Sequence, residues 1–157
     1  MKVLLDTCVL SELRHPKGHA GVRRAVAALD EEELFLSVIS IGEILKGISL
    51  LVEGRRKHTL ASWLDTLARD YADRILSIDR DICHRWGELT ARAQRAGRSV
   101  SARDGLIAAT ALHHGLRVMT RDIADFEPTG VLIFDPWRAQ PRRTPLDLIS
   151  GTDDLAP

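Results

Sequence analysis

Three features are scarce or missing in this sequence: cysteines at ligand-like spacing, long apolar runs and an excess of charge of one sign. Its two cysteines, Cys8 and Cys83, form no CxxC pair and no Cys/His ligand set. A zinc site is therefore not expected. The simplest expectation is two buried thiols in a reducing compartment.

No apolar run approaches the roughly 18 residues that a membrane-spanning helix needs. The N-terminal stretch 1–6 reaches the charged Asp6 too early for a signal peptide. We therefore expect a cytoplasmic protein that does not associate with membranes. The 22 basic and 22 acidic residues give a formal net charge of zero, which removes bulk attraction to nucleic acid but leaves room for a local basic patch.

The apolar residues that are present form short runs separated by segments with helical spacing. Because strands that are apolar throughout are buried on both faces, this alternation predicts an α/β fold with a parallel sheet between two layers of helices. The pattern fades after Trp137, so we expect one domain over 1–137 and a partly disordered tail over 138–157. The five predicted strands are 3–5, 34–38, 75–78, 116–120 and 131–134.

Four carboxylates lie close to the predicted strand ends. Asp6 follows the first strand, Asp122 follows the fourth, and Glu43 lies early in the helix after the second. Since the carboxyl ends of parallel strands meet at one edge of a sheet, these three side chains should converge. Asp104 opens the helix before the fourth strand, and strand topology alone leaves its position open.

Each carboxylate also has a purely structural interpretation when it is taken alone. Glu43 forms a capping-box pattern with Ser40, and Asp104 forms a similar pattern with Ser101. Asp122 could cap the short turn that follows it. Only the assembled set points to chemistry.

Carboxylates that share a small space repel one another unless a cation neutralises them. Their hard oxygen atoms suit Mg²⁺ or Mn²⁺, which can activate water and stabilise charge on a phosphate under attack. The hypothesis is therefore metal-dependent hydrolysis of a phosphodiester. We expect Asp6 and Asp104 to be direct metal ligands, and Glu43 and Asp122 to be direct or water-mediated ones.

The sequence contains four segments with a recognisable pattern: LLDTCVLSE from Leu4, LSVISIGEI from Leu36, ARDGLIAATA from Ala102 and TRDIADF from Thr120. Together they resemble the PIN domain, and more closely the VapC toxins of bacterial toxin–antitoxin pairs, including their FitB-like branch. The resemblance covers residues 1 to about 137. One departure is Cys8, where these toxins usually carry Asn, which leaves local hydrogen bonding open.

The resemblance implies a three-layer PIN-like fold with a central, mostly parallel five-stranded sheet. It also implies a Mg²⁺- or Mn²⁺-dependent endoribonuclease that forms a homodimer and is silenced by a cognate VapB-like antitoxin. Structured RNAs such as tRNA, rRNA or mRNA would be the substrates. The resemblance places Asp6, Glu43, Asp104 and Asp122 together in one acidic site, with Thr7 beside them.

Two hydroxyl groups and two guanidinium groups lie next to these carboxylates in the sequence. Thr7 and Thr120 could orient water or phosphate oxygens. Arg103 and Arg121 are candidates for contacting RNA phosphates, because a guanidinium group matches phosphate geometry well.

Two other function classes compete with this hypothesis. The first is phosphoryl transfer of the haloacid-dehalogenase kind, since Asp6 follows the first strand. That chemistry needs a second Asp two residues later, and Cys8 stands there instead. The second is a catalytically silent PIN-like module that only binds a partner, although all four carboxylates are retained.

Overall fold

We describe residues 1–138 in a computed structural model of the chain. The expected tail falls outside the described residues from 139 onward, so both its disorder and the domain boundary at 137 stay predictions. Within the described part, no helix is both long and apolar enough to cross a membrane.

Strands and helices alternate along the chain, as the apolar pattern predicted. Two short 3₁₀ turns, Glu31–Glu33 and Glu127–Thr129, complete the secondary structure of the described part. The strands are β1 (Val3–Leu5), β2 (Leu34–Ser37), β3 (Ile75–Leu76), β4 (Arg117–Met119) and β5 (Ile133–Phe134). The helices are α1 (Thr7–Arg14), α2 (Ala20–Ala27), α3 (Val38–Ser49), α4 (Arg55–Asp70), α5 (Arg80–Arg95), α6 (Ala102–His113) and α7 (Ile123–Phe126).

The five strands form one sheet in the order β3-β2-β1-β4-β5, and each neighbouring pair is parallel. The register aligns Val3 of β1 with Leu34 of β2 and with Arg117 of β4. The fold class is therefore confirmed, with a sheet that is entirely parallel in the described residues. Its carboxyl edge collects the segments that follow β1, β2 and β4.

Helices cover both faces of the sheet, which explains why its strands are mainly apolar. The polar residues within the strands are Ser37 at the end of β2 and the exposed Arg117 at the start of β4. On one face Leu4 packs with residues of α5 and α6 such as Ile82 and Ile107. On the other face Val3 and Leu5 pack with residues of α1, α2 and α4. Successive side chains of a strand point to opposite faces, so both layers of helices need apolar partners from the same three residues.

Helix α3 begins three residues earlier than expected. Ser37 is its N-cap, and the Ser37 side chain accepts a hydrogen bond from the backbone N–H of Ile39 at 3.1 Å. Ser40 is buried inside the helix, so the predicted Ser40–Glu43 capping box is wrong. The reason is that β2 passes directly into α3 without a loop. Glu43 is thereby free for contacts outside its own helix.

Helix α6 does begin at the predicted cap. The Ser101 hydroxyl accepts a hydrogen bond from the Asp104 backbone N–H at 3.0 Å. The helix has 12 residues and leads into β4, whose first residue lies at the amino edge of the sheet. A helix of this length spans about 18 Å, so its start lies toward the carboxyl edge. Asp104 therefore joins the other carboxylates.

Candidate metal centre

Asp6 occupies the centre of the carboxyl edge of the sheet. Its backbone N–H donates to the Met119 carbonyl of β4 at 3.1 Å, and one carboxylate oxygen accepts from the Thr7 N–H at 2.8 Å. Asp6 thus ends β1 and caps α1 at the same time. Only 1% of the residue is exposed, so its carboxylate is held in one place.

The environment of Asp6 is unfavourable for its negative charge. Burial raises the pKa of the Asp6 carboxyl above its usual value, although hydrogen bonds from Thr120 and Thr7 oppose this effect. The Thr120 hydroxyl donates to Oδ2 at 2.8 Å, and the Cys8 thiol lies 3.5 Å from the same oxygen. A carboxylate in such surroundings gains from a nearby cation.

Asp122 and Cys8 complete a compact group of ligand atoms with Asp6. One ligand atom from each of the three residues lies within 4.8 Å of the other two. Asp122 stands at the N-cap position of α7, but its side chain makes no capping hydrogen bond. Its backbone N–H instead donates to the Thr120 hydroxyl at 3.0 Å, which fixes the loop after β4. The capping interpretation of Asp122 is therefore wrong.

Glu43 and Asp104 form the second part of the site, and Arg103 bridges them. The Arg103 Nη1 atom lies 2.9 Å from Glu43 Oε1, and its Nη2 atom lies 2.6 Å from Asp104 Oδ1. These contacts join α3 to the start of α6 across 60 residues of sequence. Asp104 also accepts a hydrogen bond from the Ser101 hydroxyl at 2.5 Å.

Thr7 connects the two parts of the site. Its N–H donates to Asp6, and its hydroxyl donates to Glu43 Oε2 at 2.8 Å. In this structure the hydroxyl groups of Thr7 and Thr120 therefore donate hydrogen bonds to carboxylate oxygens, those of Glu43 and Asp6 respectively. Their predicted role in orienting water or phosphate oxygens stays a prediction.

The two arginines proposed for phosphate contacts have different surroundings. Arg103 is engaged with Glu43 and Asp104. Arg121 is exposed, and its guanidinium carbon lies 5.5 Å from the centre of the Trp137 ring, a cation–π distance. Contacts of either arginine with RNA stay predictions.

The sequence analysis did not predict the contacts of two residues in the site, Ser101 and Cys8, and its prediction for Cys83 was wrong. Ser101 was interpreted only as a helix cap, yet its hydroxyl also holds the Asp104 carboxylate. Cys8 was noted only as a departure from the usual Asn, yet its sulfur atom lies inside the compact group. Its position two residues after Asp6, in the first turn of α1, was the available clue. The expectation that Cys83 is buried is wrong, since this thiol is exposed.

The residues present fit a divalent cation. The compact group supplies two carboxylates and one sulfur atom, and Glu43 and Asp104 add two carboxylates at the same edge. Carboxylate oxygens are the ligands that Mg²⁺ and Mn²⁺ prefer, and several in one place need positive charge. Such a site can position and activate water against a phosphate ester.

Comparison with known proteins agrees with this geometry. Residues 3–130 match the PIN domain. This chain belongs to the PIN domain family. It is similar to the toxin FitB of Neisseria gonorrhoeae, with 37% identity over 86% of this chain and 98% of that protein. It is also similar to the plasmid stability protein StbB of Pseudomonas syringae, with 38% identity over 87% and 99%, and to a VapC ribonuclease of Sinorhizobium fredii, with 35% over 86% and 97%.

Solved structures of PIN-domain relatives have the same fold. FitAcB from Neisseria gonorrhoeae superposes with a TM-score of 0.82 and 35% identity, covering 87% of this chain and 99% of that one. FitAB bound to a DNA fragment gives a TM-score of 0.83 and 33% identity, covering 89% and 99%. VapBC-1 from Haemophilus influenzae, at 20% identity and a TM-score of 0.67, supports the fold alone.

Proposed function

We propose that this PIN-domain protein is the endoribonuclease toxin of a type II toxin–antitoxin pair, and that it hydrolyses RNA phosphodiester bonds at the acidic site. The observation that carries the proposal is the convergence of four carboxylates at one edge of the sheet, two of them almost fully buried. A toxin and a VapC ribonuclease, each at least 35% identical over most of the chain, support the same function.

The proposed cofactor is Mg²⁺ or Mn²⁺. Asp6 and Asp104 would be direct ligands, and Glu43 and Asp122 would be direct or water-mediated ones. The cation, when bound, supplies Lewis-acid activation of water and stabilises negative charge on the phosphate. Cys8 lies close enough to Asp6 and Asp122 to contribute its sulfur atom.

The chain's own residues would hold the reacting groups in place. Thr120 and Thr7 fix both oxygens of Asp6, so this ligand does not need to reorganise. Preorganised ligands lower the cost of reaching the transition state. Arg121 and Arg103 are the proposed contacts to RNA phosphates, where a planar guanidinium group can donate two hydrogen bonds to one phosphate.

We propose a VapB-like antitoxin as the partner that silences the site, and a homodimer as the form of the toxin. The similarity to toxin FitB and to the solved FitAB complex supports the antitoxin partner. The homodimer is what the resemblance to VapC toxins implies. The proposed place of action is the cytoplasm, where the RNA substrate is found.

Expression without antitoxin is expected to arrest growth, whereas unimpaired growth at verified soluble expression would count against a toxin.

A cleavage assay tests the proposal. Purified protein, freed of any partner, is mixed with a panel of structured RNAs in Mg²⁺, Mn²⁺ or EDTA, and D6N is run alongside. Cleavage is expected in either metal and absent in EDTA and in the variant. The matched control is D73N, which changes an exposed aspartate in the turn before β3 and should cleave normally.

Two outcomes would contradict the proposal in different ways. Cleavage that persists in EDTA, or in D6N, would exclude the metal–carboxylate mechanism. Failure to cleave any RNA in the panel with either metal would favour the silent partner-binding module.

A further inference from the structure

Arg103 makes the densest set of charged contacts in the candidate site. Its Nε and Nη2 atoms both reach Asp104 Oδ1, at 2.8 and 2.6 Å, while Nη1 reaches Glu43 Oε1 at 2.9 Å. One guanidinium group therefore spans two carboxylates that come from different helices. Charge-assisted contacts of this kind are about twice as strong as neutral hydrogen bonds.

The position of Arg103 gives it the electrostatic role that a bound cation would have. Its positive charge offsets the repulsion between Glu43 and Asp104, and it also acts on Asp6, where it opposes the rise in pKa caused by burial. Among the described residues, Arg103 is the one basic residue whose side chain lies within 4 Å of the carboxylates of Glu43 and Asp104.

Arg103 can also leave these contacts without disturbing the core. Its side chain is 38% exposed, whereas the Asp104 side chain is only 6% exposed. Asp104 is held independently by Ser101, and Glu43 is held independently by Thr7. Both carboxylates would therefore keep their positions if the guanidinium group swung into solvent.

We propose that Arg103 is an internal counter-ion that competes with the divalent cation for Glu43 and Asp104. The bound metal and the bridged position of Arg103 exclude each other, so the cation binds only as the arginine withdraws. Arg103 thereby sets the metal affinity of the site. This inference rests on the metal centre of the proposed function, and not on RNA cleavage.

Titration calorimetry with Mn²⁺ tests the competition directly. R103Q removes the charge, and it should bind Mn²⁺ roughly tenfold more tightly than the unmodified protein, equivalent to about 1.4 kcal/mol. R103K keeps the charge but loses the bridging fork, so its affinity should rise much less. The matched control is R117Q, because Arg117 is an exposed arginine at the opposite edge of the sheet, and its affinity should not change.

Thermal unfolding gives a second measurement that does not depend on activity. Without metal, R103Q should melt below the unmodified protein because Glu43 and Asp104 then repel each other. Its melting temperature should rise more steeply with added Mn²⁺. The low-metal measurement also shows directly whether the variant is folded.

The outcomes separate this inference from the proposed function. Equal or weaker Mn²⁺ binding by R103Q, with normal binding by the unmodified protein, overturns the competition. Tighter Mn²⁺ binding by R103Q, together with failure of the unmodified protein to cleave any RNA, supports the competition and overturns the nuclease. Absence of Mn²⁺ binding in all four proteins overturns the metal centre and the competition together.

Discussion

The Thr120 hydroxyl donates to the Asp6 carboxylate at 2.8 Å, and both residues are almost completely excluded from solvent. The contact joins the ends of β1 and β4 across 114 residues of sequence. The same hydroxyl accepts the Asp122 N–H, so it also anchors the loop that carries a second carboxylate. One side chain thus organises half of the site.

Removing the Thr120 hydroxyl should destabilise the protein. T120V keeps the shape but leaves a buried carboxylate without its donor, which costs about 1.5–3 kcal/mol. We expect the melting temperature to fall by about 5 °C. T120S retains the hydroxyl and should stay close to the unmodified protein, and equal stability of T120V and T120S would show that the contact contributes nothing.

Without a bound metal, the buried negative charge of Asp6 should make the protein less stable than a variant with a neutral side chain at this position. Burial raises the pKa of Asp6, so the folded state favours the protonated carboxyl. The stability of the folded state that depends on this protonation is lost as the pH rises through that pKa. D6N should therefore unfold about 2–4 °C higher than the unmodified protein in EDTA at pH 7.

The pH dependence of this gain checks the cause. Below the ordinary range of an aspartate, Asp6 is protonated in both the folded and the unfolded state, so the gain of D6N should vanish near pH 3. D73N, which changes an exposed aspartate, should show no gain at either pH. A gain that is equal at both pH values would point to packing rather than to charge.

The two thiols should react at very different rates. Burial, with a smaller contribution from the Asp6 charge, raises the pKa of Cys8 to about 11, whereas Cys83 is exposed. Since the thiolate is the reactive form, a disulfide reagent at pH 8 should modify Cys83 roughly 100-fold faster than Cys8. C83S should remove the fast phase and C8S the slow one; two equally fast thiols would contradict the described burial of Cys8.

Two glycines should respond to alanine in opposite directions. An added Cβ at Gly105 would lie 2.9 Å from Cδ1 and Nε1 of Trp86, so G105A should lose about 1–3 kcal/mol of stability. An added Cβ at Gly87, in the middle of α5, would meet open space, and G87A should gain about 0.5–1 kcal/mol. Urea unfolding measures both, and a G105A as stable as the unmodified protein would mean that the Trp86 ring moves aside freely.

The strands could be predicted because they are buried on both faces. Val3, Leu4 and Leu5 are all apolar, and the other runs are mainly apolar, with polar residues such as Ser37, Ser77 and Arg117 near their ends. The structure shortens several of them by one or two residues, since strand ends depend on pairing with neighbours rather than on composition.

The position of Asp104 could have been predicted from the strand that follows its helix rather than from the segment that precedes it. The segment before α6 does not determine where the helix begins. The strand after it does, because β4 starts at the amino edge of the sheet, so the other end of α6 must lie toward the carboxyl edge. The Ser40–Glu43 capping box failed for another reason: Ser37 and Ser40 are both competent caps, and the direct passage from β2 into α3 selects the first.

The contact of Arg103 with Glu43 could not be predicted from one sequence. Arg103 adjoins Asp104, so proximity to that carboxylate was foreseeable, and a phosphate was the proposed partner. Its second partner lies 60 residues away on another helix, and only the packing of α3 against α6 brings the two together.

The strand order has a consequence for the newly made chain as it leaves the ribosome. β1 and β4 are neighbours in the sheet, although they are first and fourth along the chain. Until β4 has been translated, one side of β1 has no pairing partner, and the donor from Thr120 and the carboxylate of Asp122 do not yet exist. A chain that stops short of these residues carries Asp6, Glu43 and even Asp104 without a completed centre. The acidic edge of the sheet is therefore complete only after residues 117–122 have been added to the growing chain.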